Sequence, residues 1–136
     1  MPAALVPELY VSELARSLAF YCDLAGFEIR YERRDEAFAY IGLGTAELML
    51  EEPVGRTWLT AALDHPYGRG INLQISVPDA GRLYAVFCDA GATIVNALEE
   101  KSYTRRDDTV LVRQFVVADP DGYLLRFAQI ISEHTS

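Results

Sequence analysis

Cysteine is nearly absent from this chain. Only Cys22 and Cys88 occur, too few for a disulfide framework and without the CxxC spacing of zinc or redox sites. Both read as buried thiols. Long apolar runs are missing too. The longest, Gln114 to Ala118 and Leu124 to Ile131, are interrupted by polar residues, and a membrane span needs roughly 20 residues. The start, Met1 to Val6, has neither the basic opening nor the apolar core of a signal peptide, so the expected compartment is the cytoplasm, with no membrane partner. Positive charge is short: 12 Lys and Arg face 20 Asp and Glu, a formal charge of −8. Such a balance repels phosphates, and the pairs Arg33-Arg34 and Arg105-Arg106 are too short to make a basic patch, so no nucleic-acid partner is expected. An acidic surface concentrates cationic ligands, and it also simply keeps a protein soluble.

The rest of the composition is that of a globular protein. At 136 residues, 51% hydrophobic and 24% charged, the chain suits one compact domain, residues 1–136. A domain of this size buries roughly two-thirds of its unfolded surface, so it needs no structural metal or disulfide. All but the polar tail is expected to fold.

The chain repeats itself. Val11-Ser-Glu-Leu-Ala-Arg-Ser-Leu-Ala-Phe-Tyr-Cys-Asp23 can be laid over Val77-Pro-Asp-Ala-Gly-Arg-Leu-Tyr-Ala-Val-Phe-Cys-Asp89 at an offset of 66 positions. The overlay matches Arg16 to Arg82, Ala19 to Ala85, Tyr21 to Phe87 and Cys22-Asp23 to Cys88-Asp89, with Gly26 near Gly91. A repeat of about half the chain means two copies of one module rather than a solenoid.

Periodicity gives the elements. Residues 5–11 and 71–77 alternate apolar and polar, the pattern of a half-buried strand. Ser12 and Asp79 stand where a helix N-cap is wanted, Leu14, Leu18, Tyr21 and Leu24 recur at helical spacing, and Gly26 and Gly91 offer the stop. Three strand-like runs follow in each copy: Glu28 to Arg33, Ala37 to Ile41 and Glu47 to Glu51, then Thr93 to Leu98, Gln114 to Val117 and Leu124 to Ile130. Turns at Gly42-Leu-Gly44 and Asp119-Pro-Asp-Gly122 use residues that favour tight reversals. The order βαβββ, twice, predicts an α+β fold. Module one covers about 5–52, module two about 70–131, and about 53–69 forms a linker with at most a short helix.

Three segments, Val11 to Tyr21, Leu24-Ala-Gly-Phe27 and the turn and strand Asp119-Pro-Asp-Gly-Tyr-Leu-Leu-Arg-Phe127, resemble the vicinal-oxygen-chelate superfamily. That group includes glyoxalase I, extradiol dioxygenases, fosfomycin-resistance enzymes and bleomycin-resistance proteins. The resemblance runs almost end to end and implies that each module curls its strands into a half-open cup. In metal-dependent members a ligand stands on the first and last strand of each module. Carried over, those positions fall on Val6, about Met49, Asn72 and Arg126. Valine offers no donor, a thioether is soft and a guanidinium repels a cation, so no metal or other cofactor is expected. The two histidines, His65 before Pro66 and His134 in the tail, read as surface residues, with no partner spacing for a pair acting as acid and base.

Within the superfamily the chain looks most like the bleomycin-resistance proteins, which bind and sequester the drug without chemistry. Arg126, where an enzyme of the family carries glutamate, the acidic charge and the loop aromatics favour that branch, and with it a small planar, cationic antibiotic as partner. The alternative is an enzyme or binder of the same superfamily acting on an unknown small metabolite. Candidate ligand-binding residues are Phe38, Trp58, Tyr67, Asn72, Tyr103, Asp107, Gln114 and Arg126; none is read as catalytic. Each has a structural alternative. Trp58 either stacks on ligand or anchors the linker, and Phe38 lines the cup or packs in the core. Asn72 and Gln114 pair with ligand or with each other as buried amides. Arg126 meets a ligand or, the favoured reading, a structural carboxylate. Tyr67 and Tyr103 are rim candidates. In the resistance proteins the loop matching Glu99 to Asp108 covers the drug, so Tyr103 and Asp107 would touch it; otherwise this is a solvated charged loop. The resemblance also implies a homodimer, with Pro2 and Pro7 flanking an N-terminal arm that could cross to the partner.

Overall fold

The computed structural model describes residues 3–135, so Pro2 lies outside the described residues. Eight strands form two four-stranded sheets. The first module runs β1 (Glu8–Tyr10), α1 (Leu14–Leu18) continuing as a π-helical turn (Ala19–Leu24), β2 (Glu28–Arg33), a 3-10 turn (Arg34–Glu36), β3 (Phe38–Leu43) and β4 (Ala46–Glu51). The second runs β5 (Asn72–Ser76), α2 (Ala80–Asp89), β6 (Thr93–Thr104), β7 (Asp108–Ala118) and β8 (Leu124–Thr135). Both sheets have the same order, β1-β4-β3-β2 and β5-β8-β7-β6, with the first strand parallel to the last. The repeated sequence has folded into a repeated βαβββ topology.

By contact the chain forms two compact units. One comprises the residues up to Arg69 together with Pro120–Gly122, the other Gly70–Asp119 with Tyr123 onward. In the first, the buried face of the sheet carries Leu9, Ala39, Ile41, Leu48 and Leu50, all at most 3% exposed. Tyr21 and Phe27 meet edge to face with ring centroids 5.6 Å apart. In the second, alternate residues of β7 and β8 turn Phe115 and Phe127 onto Phe87 of α2, with centroid distances of 5.5–6.0 Å among the three rings. Period-two alternation on the strands and helical spacing on α2 are what place these apolar side chains on one interior.

The turn Pro120–Gly122 is bound by long-range contacts within the first unit. Asp121, fully buried, accepts the Ser12 N–H at 3.0 Å and stands 3.3 Å from His65 Nε2, while its carbonyl accepts the Tyr67 N–H at 2.8 Å. Gly122 has φ +85°, and a Cβ there would come within 2.5 Å of Pro66, so glycine is required twice over.

Several expectations are corrected. Ser12 is not a cap: Glu13 holds the N-cap position without a side-chain bond, and the Ser12 amide is used on Asp121. Asp79 does cap α2, accepting the Arg82 N–H at 3.0 Å. Residues 99–104 and 108 are not loop but the outer parts of β6 and β7. The hairpin holds there because Val110 and Val112 pack against Tyr103 on one face while ion pairs such as Arg113–Glu100, 2.6 Å, sit on the other. The polar end is β8, with His134 opposite Thr109. The opening strand is shorter than 5–11. Cys22 is half-buried and Cys88 exposed, because the helical register turns each away from the interior occupied by Tyr21 and Phe87.

Candidate functional site

Each sheet has a second face, opposite the buried one, and on that face each unit carries a cleft. In the first unit the register places Glu8 beside Met49 and Tyr10 beside Glu51, with Phe38 next in line on β3. The cleft, about 590 Å³, is lined by the carboxylates Glu8, Asp35, Glu36 and Glu51, with Arg33, Arg56, Tyr10 and Trp58. Burial, and then the charges of Glu8 and Glu36, push the Glu51 carboxyl above the usual carboxylate range. Trp58 is 71% exposed. Its backbone N–H donates to the Tyr10 hydroxyl at 3.0 Å, and the Arg56 guanidinium lies 4.8 Å from its ring centre. The backbone is fastened and the indole is left in solvent, so Trp58 does not anchor the segment through its ring. Arg33 lies over the Phe38 ring at 3.9 Å and is held by Glu36.

In the second unit the open face carries Gln74, Arg126, Gln114, Val112, Val110 and Tyr103, around a cleft of about 320 Å³ with Arg105 and Ile130 at its edge. Gln114, 5% exposed, donates its amide to Glu99 at 3.1 Å and to the Tyr103 hydroxyl at 2.5 Å. Arg126 donates to Gln74 Oε1 at 2.6 Å. Its Nε is buried without a hydrogen-bond partner.

The eight residues singled out from sequence thus separate. Tyr103, Gln114 and Arg126 converge on the second cleft, and Trp58 borders the first. Phe38 is only 1% exposed, beneath the rings of Tyr31 and the guanidinium of Arg33. Tyr67 packs 5.3 Å from His65, near Asp121. Asn72 is exposed, not buried, and faces Leu124; the register sets Gln74 opposite Arg126 instead. Asp107 lies exposed in the turn between β6 and β7. The structural carboxylate expected for Arg126 is not there: among the described residues none lies within 4.0 Å, and an amide takes its place. His65, read as a surface residue, is 56% exposed and also stands 3.3 Å from the buried Asp121. Sequence reasoning missed Gln74, Glu8 and Trp58's neighbour Arg56. Gln74 carried a usable signal, a second amide in the alternating strand Asn-Leu-Gln-Ile-Ser.

The metal positions of the vicinal-oxygen-chelate enzymes do not suit a metal here. By register the first-strand positions beside Met49 and Arg126 are Glu8 and Gln74 rather than Val6 and Asn72; Glu8 is a single carboxylate beside a thioether, and the amide oxygen of Gln74 is taken by the Arg126 guanidinium, which brings its own positive charge. Among the described residues no group of three His, Cys, Asp or Glu side chains is placed to hold an ion.

The model of one protein family, described as the glyoxalase/bleomycin resistance protein/dioxygenase superfamily, matches residues 4–127. The chain belongs to this superfamily. A bleomycin resistance protein from Geobacillus stearothermophilus is 27% identical over 135 residues, covering 93% of this chain and 96% of that protein. Two solved structures show the same fold. TioX from Micromonospora sp. ML1 superposes with a TM-score of 0.72 at 21% identity, over 92% of this chain and 96% of that one. A virulence protein from Salmonella typhimurium gives 0.71 at 18% identity, over 96% and 98%. Superfamily membership accounts for the paired βαβββ units, and among the described residues no helix is long and apolar enough to cross a membrane.

Proposed function

We propose that this superfamily member binds and sequesters a bleomycin-type antibiotic, or a similar planar cation, without chemical turnover. One observation carries the reading: the only tryptophan, Trp58, presents a 71% exposed indole at the edge of a cleft lined by four carboxylates. A large aromatic left in water has little structural reason to be there, and a flat ring stacked on it would gain both apolar burial and attraction for positive charge. The end-to-end similarity to a bleomycin resistance protein supports the choice of ligand.

Calorimetric titration with metal-free bleomycin tests it. The expected result is one drug per chain at micromolar affinity or tighter; no binding heat would rule the reading out. Glu51 sets the expected pH dependence. A carboxyl whose folded-state pKa is raised favours its neutral form, so its ionisation works against the fold as pH rises through that value. A bound cation reverses this preference by stabilising the carboxylate and expelling the proton. Affinity should therefore be weaker near about pH 5 than near about pH 7.5, and Glu51→Gln should flatten the difference.

The functional unit is proposed to be a homodimer. The edge strand β2 leaves Ile29 44% and Tyr31 49% exposed, and an edge with apolar side chains is a surface on which a second chain can pack. Light scattering should give twice the mass of one chain. In such a dimer the chain works as a cytoplasmic binder, and the arm exchange expected from Pro2 and Pro7 is not part of it: the Ala3 N–H donates to Glu47 of the same chain at 2.7 Å and the Pro7 carbonyl accepts the Met49 N–H at 2.9 Å.

A further inference from the structure

The cleft of the second unit has a charge that no carboxylate among the described residues neutralises. The other charged groups around it are accounted for. Arg105 is bound to Asp108 at 2.9 and 2.5 Å and lies 3.6 Å from Glu133. Glu99 accepts from Asn96 and from Gln114, both at 3.1 Å, and these bonds hold its carboxyl below the usual range. Arg126 alone has only an uncharged partner, Gln74. It is half-buried, in a cleft whose lining also includes Val110 and Val112, 6% and 8% exposed. A guanidinium in such a place, with a buried Nε that donates to nothing, is a costly group to leave without an anion. Its flat fork fits a carboxylate, to which it can donate two parallel hydrogen bonds.

A second donor stands nearby. Both amide hydrogens of Gln114 are spent, one on Glu99 and one on the Tyr103 hydroxyl oxygen. The phenol therefore acts as acceptor in that bond and keeps its own proton to give. We propose that this cleft is a binding subsite for a small carboxylate-bearing molecule with an apolar, ring-sized body. Arg126 and Tyr103 donate to its carboxylate, and Val110, Val112 and Ile130 cover the body. The subsite selects charge of the opposite sign to the carboxylate-lined cleft of the first unit, and it does not rest on the bleomycin reading.

The test uses the full chain and a matched pair of probes, 2-naphthoate and its neutral amide, 2-naphthamide, titrated by calorimetry. Naphthoate should bind at one per chain, about tenfold or more tighter than the amide. Arg126→Gln should erase that preference by weakening naphthoate alone, and Tyr103→Phe should weaken naphthoate by a smaller factor of about three. Should Arg126→Gln fail to fold, salt serves on the natural protein. Raising it from about 20 to about 200 mM should weaken naphthoate and leave the amide unchanged. Equal affinity for the two probes, no binding of naphthoate, or naphthoate binding indifferent to both Arg126→Gln and salt would overturn the proposal. Bleomycin titrated alongside keeps the two ideas apart. A chain that prefers naphthoate through Arg126 yet ignores bleomycin upholds the subsite and removes the sequestration.

Discussion

Replacing Trp58 with alanine is expected to weaken bleomycin binding by about 2 kcal/mol, roughly thirtyfold, while leaving the thermal midpoint of the free protein nearly unchanged. The two halves of that expectation come from one arrangement. What holds the segment is the backbone N–H of residue 58 on the Tyr10 hydroxyl, and alanine keeps it. What is lost is an indole that is 71% exposed, and so contributes little to the fold but supplies a large stacking face to a ligand. Trp58→Phe should recover part of the affinity, since the smaller ring still stacks. A variant that bound bleomycin as the natural chain does would show that the drug, if bound, lies elsewhere. Intrinsic fluorescence offers a direct check, because the single indole should be quenched or shifted as the drug is added.

Phe127→Ala is expected to produce the largest loss of stability, about 3–5 kcal/mol. Its side chain is fully buried, with its ring 5.8 Å from Phe87 and 5.5 Å from Phe115. Truncation leaves a void that two neighbouring rings cannot close without leaving their rotamers. Urea unfolding should show it as a lower midpoint at unchanged slope. Ile130→Ala supplies the contrast: three positions along the same strand, but 54% exposed, it should cost less than about 1 kcal/mol. Similar losses at the two positions would mean that the faces of β8 are assigned the wrong way round.

The architecture was legible from the sequence because its signals were local. The matched Cys22-Asp23 and Cys88-Asp89 fell on the helical segment of each unit, Asp79 capped the helix it preceded, and Asp119-Pro-Asp-Gly122 made the turn before the last strand. What failed depended on partners far along the chain. Ser12 has the side chain of a cap, but its amide is claimed by a carboxylate 109 positions away. The charges from Glu99 to Asp108 read as a loop because only pairing shows that they alternate with an inward face. Arg126 was correctly singled out as a residue needing a partner, but the partner type was misjudged. Alignment by the strand-to-helix junctions put Asn72 in the key position, and only the observed register brings Gln74 across from Arg126. Clefts of this kind depend on which residues meet across strands, and a single sequence carries little of that information.

The attachment of Pro120–Gly122 to the first unit bears on how the protein emerges from the ribosome. When synthesis has passed Arg69, that unit still lacks the turn that takes the Ser12 and Tyr67 amide protons and packs on Pro66. At usual translation speeds the missing piece follows roughly 3–10 s later. The N-terminal half therefore cannot finish folding ahead of the C-terminal half, and the two must complete almost together, after most of the chain has been made.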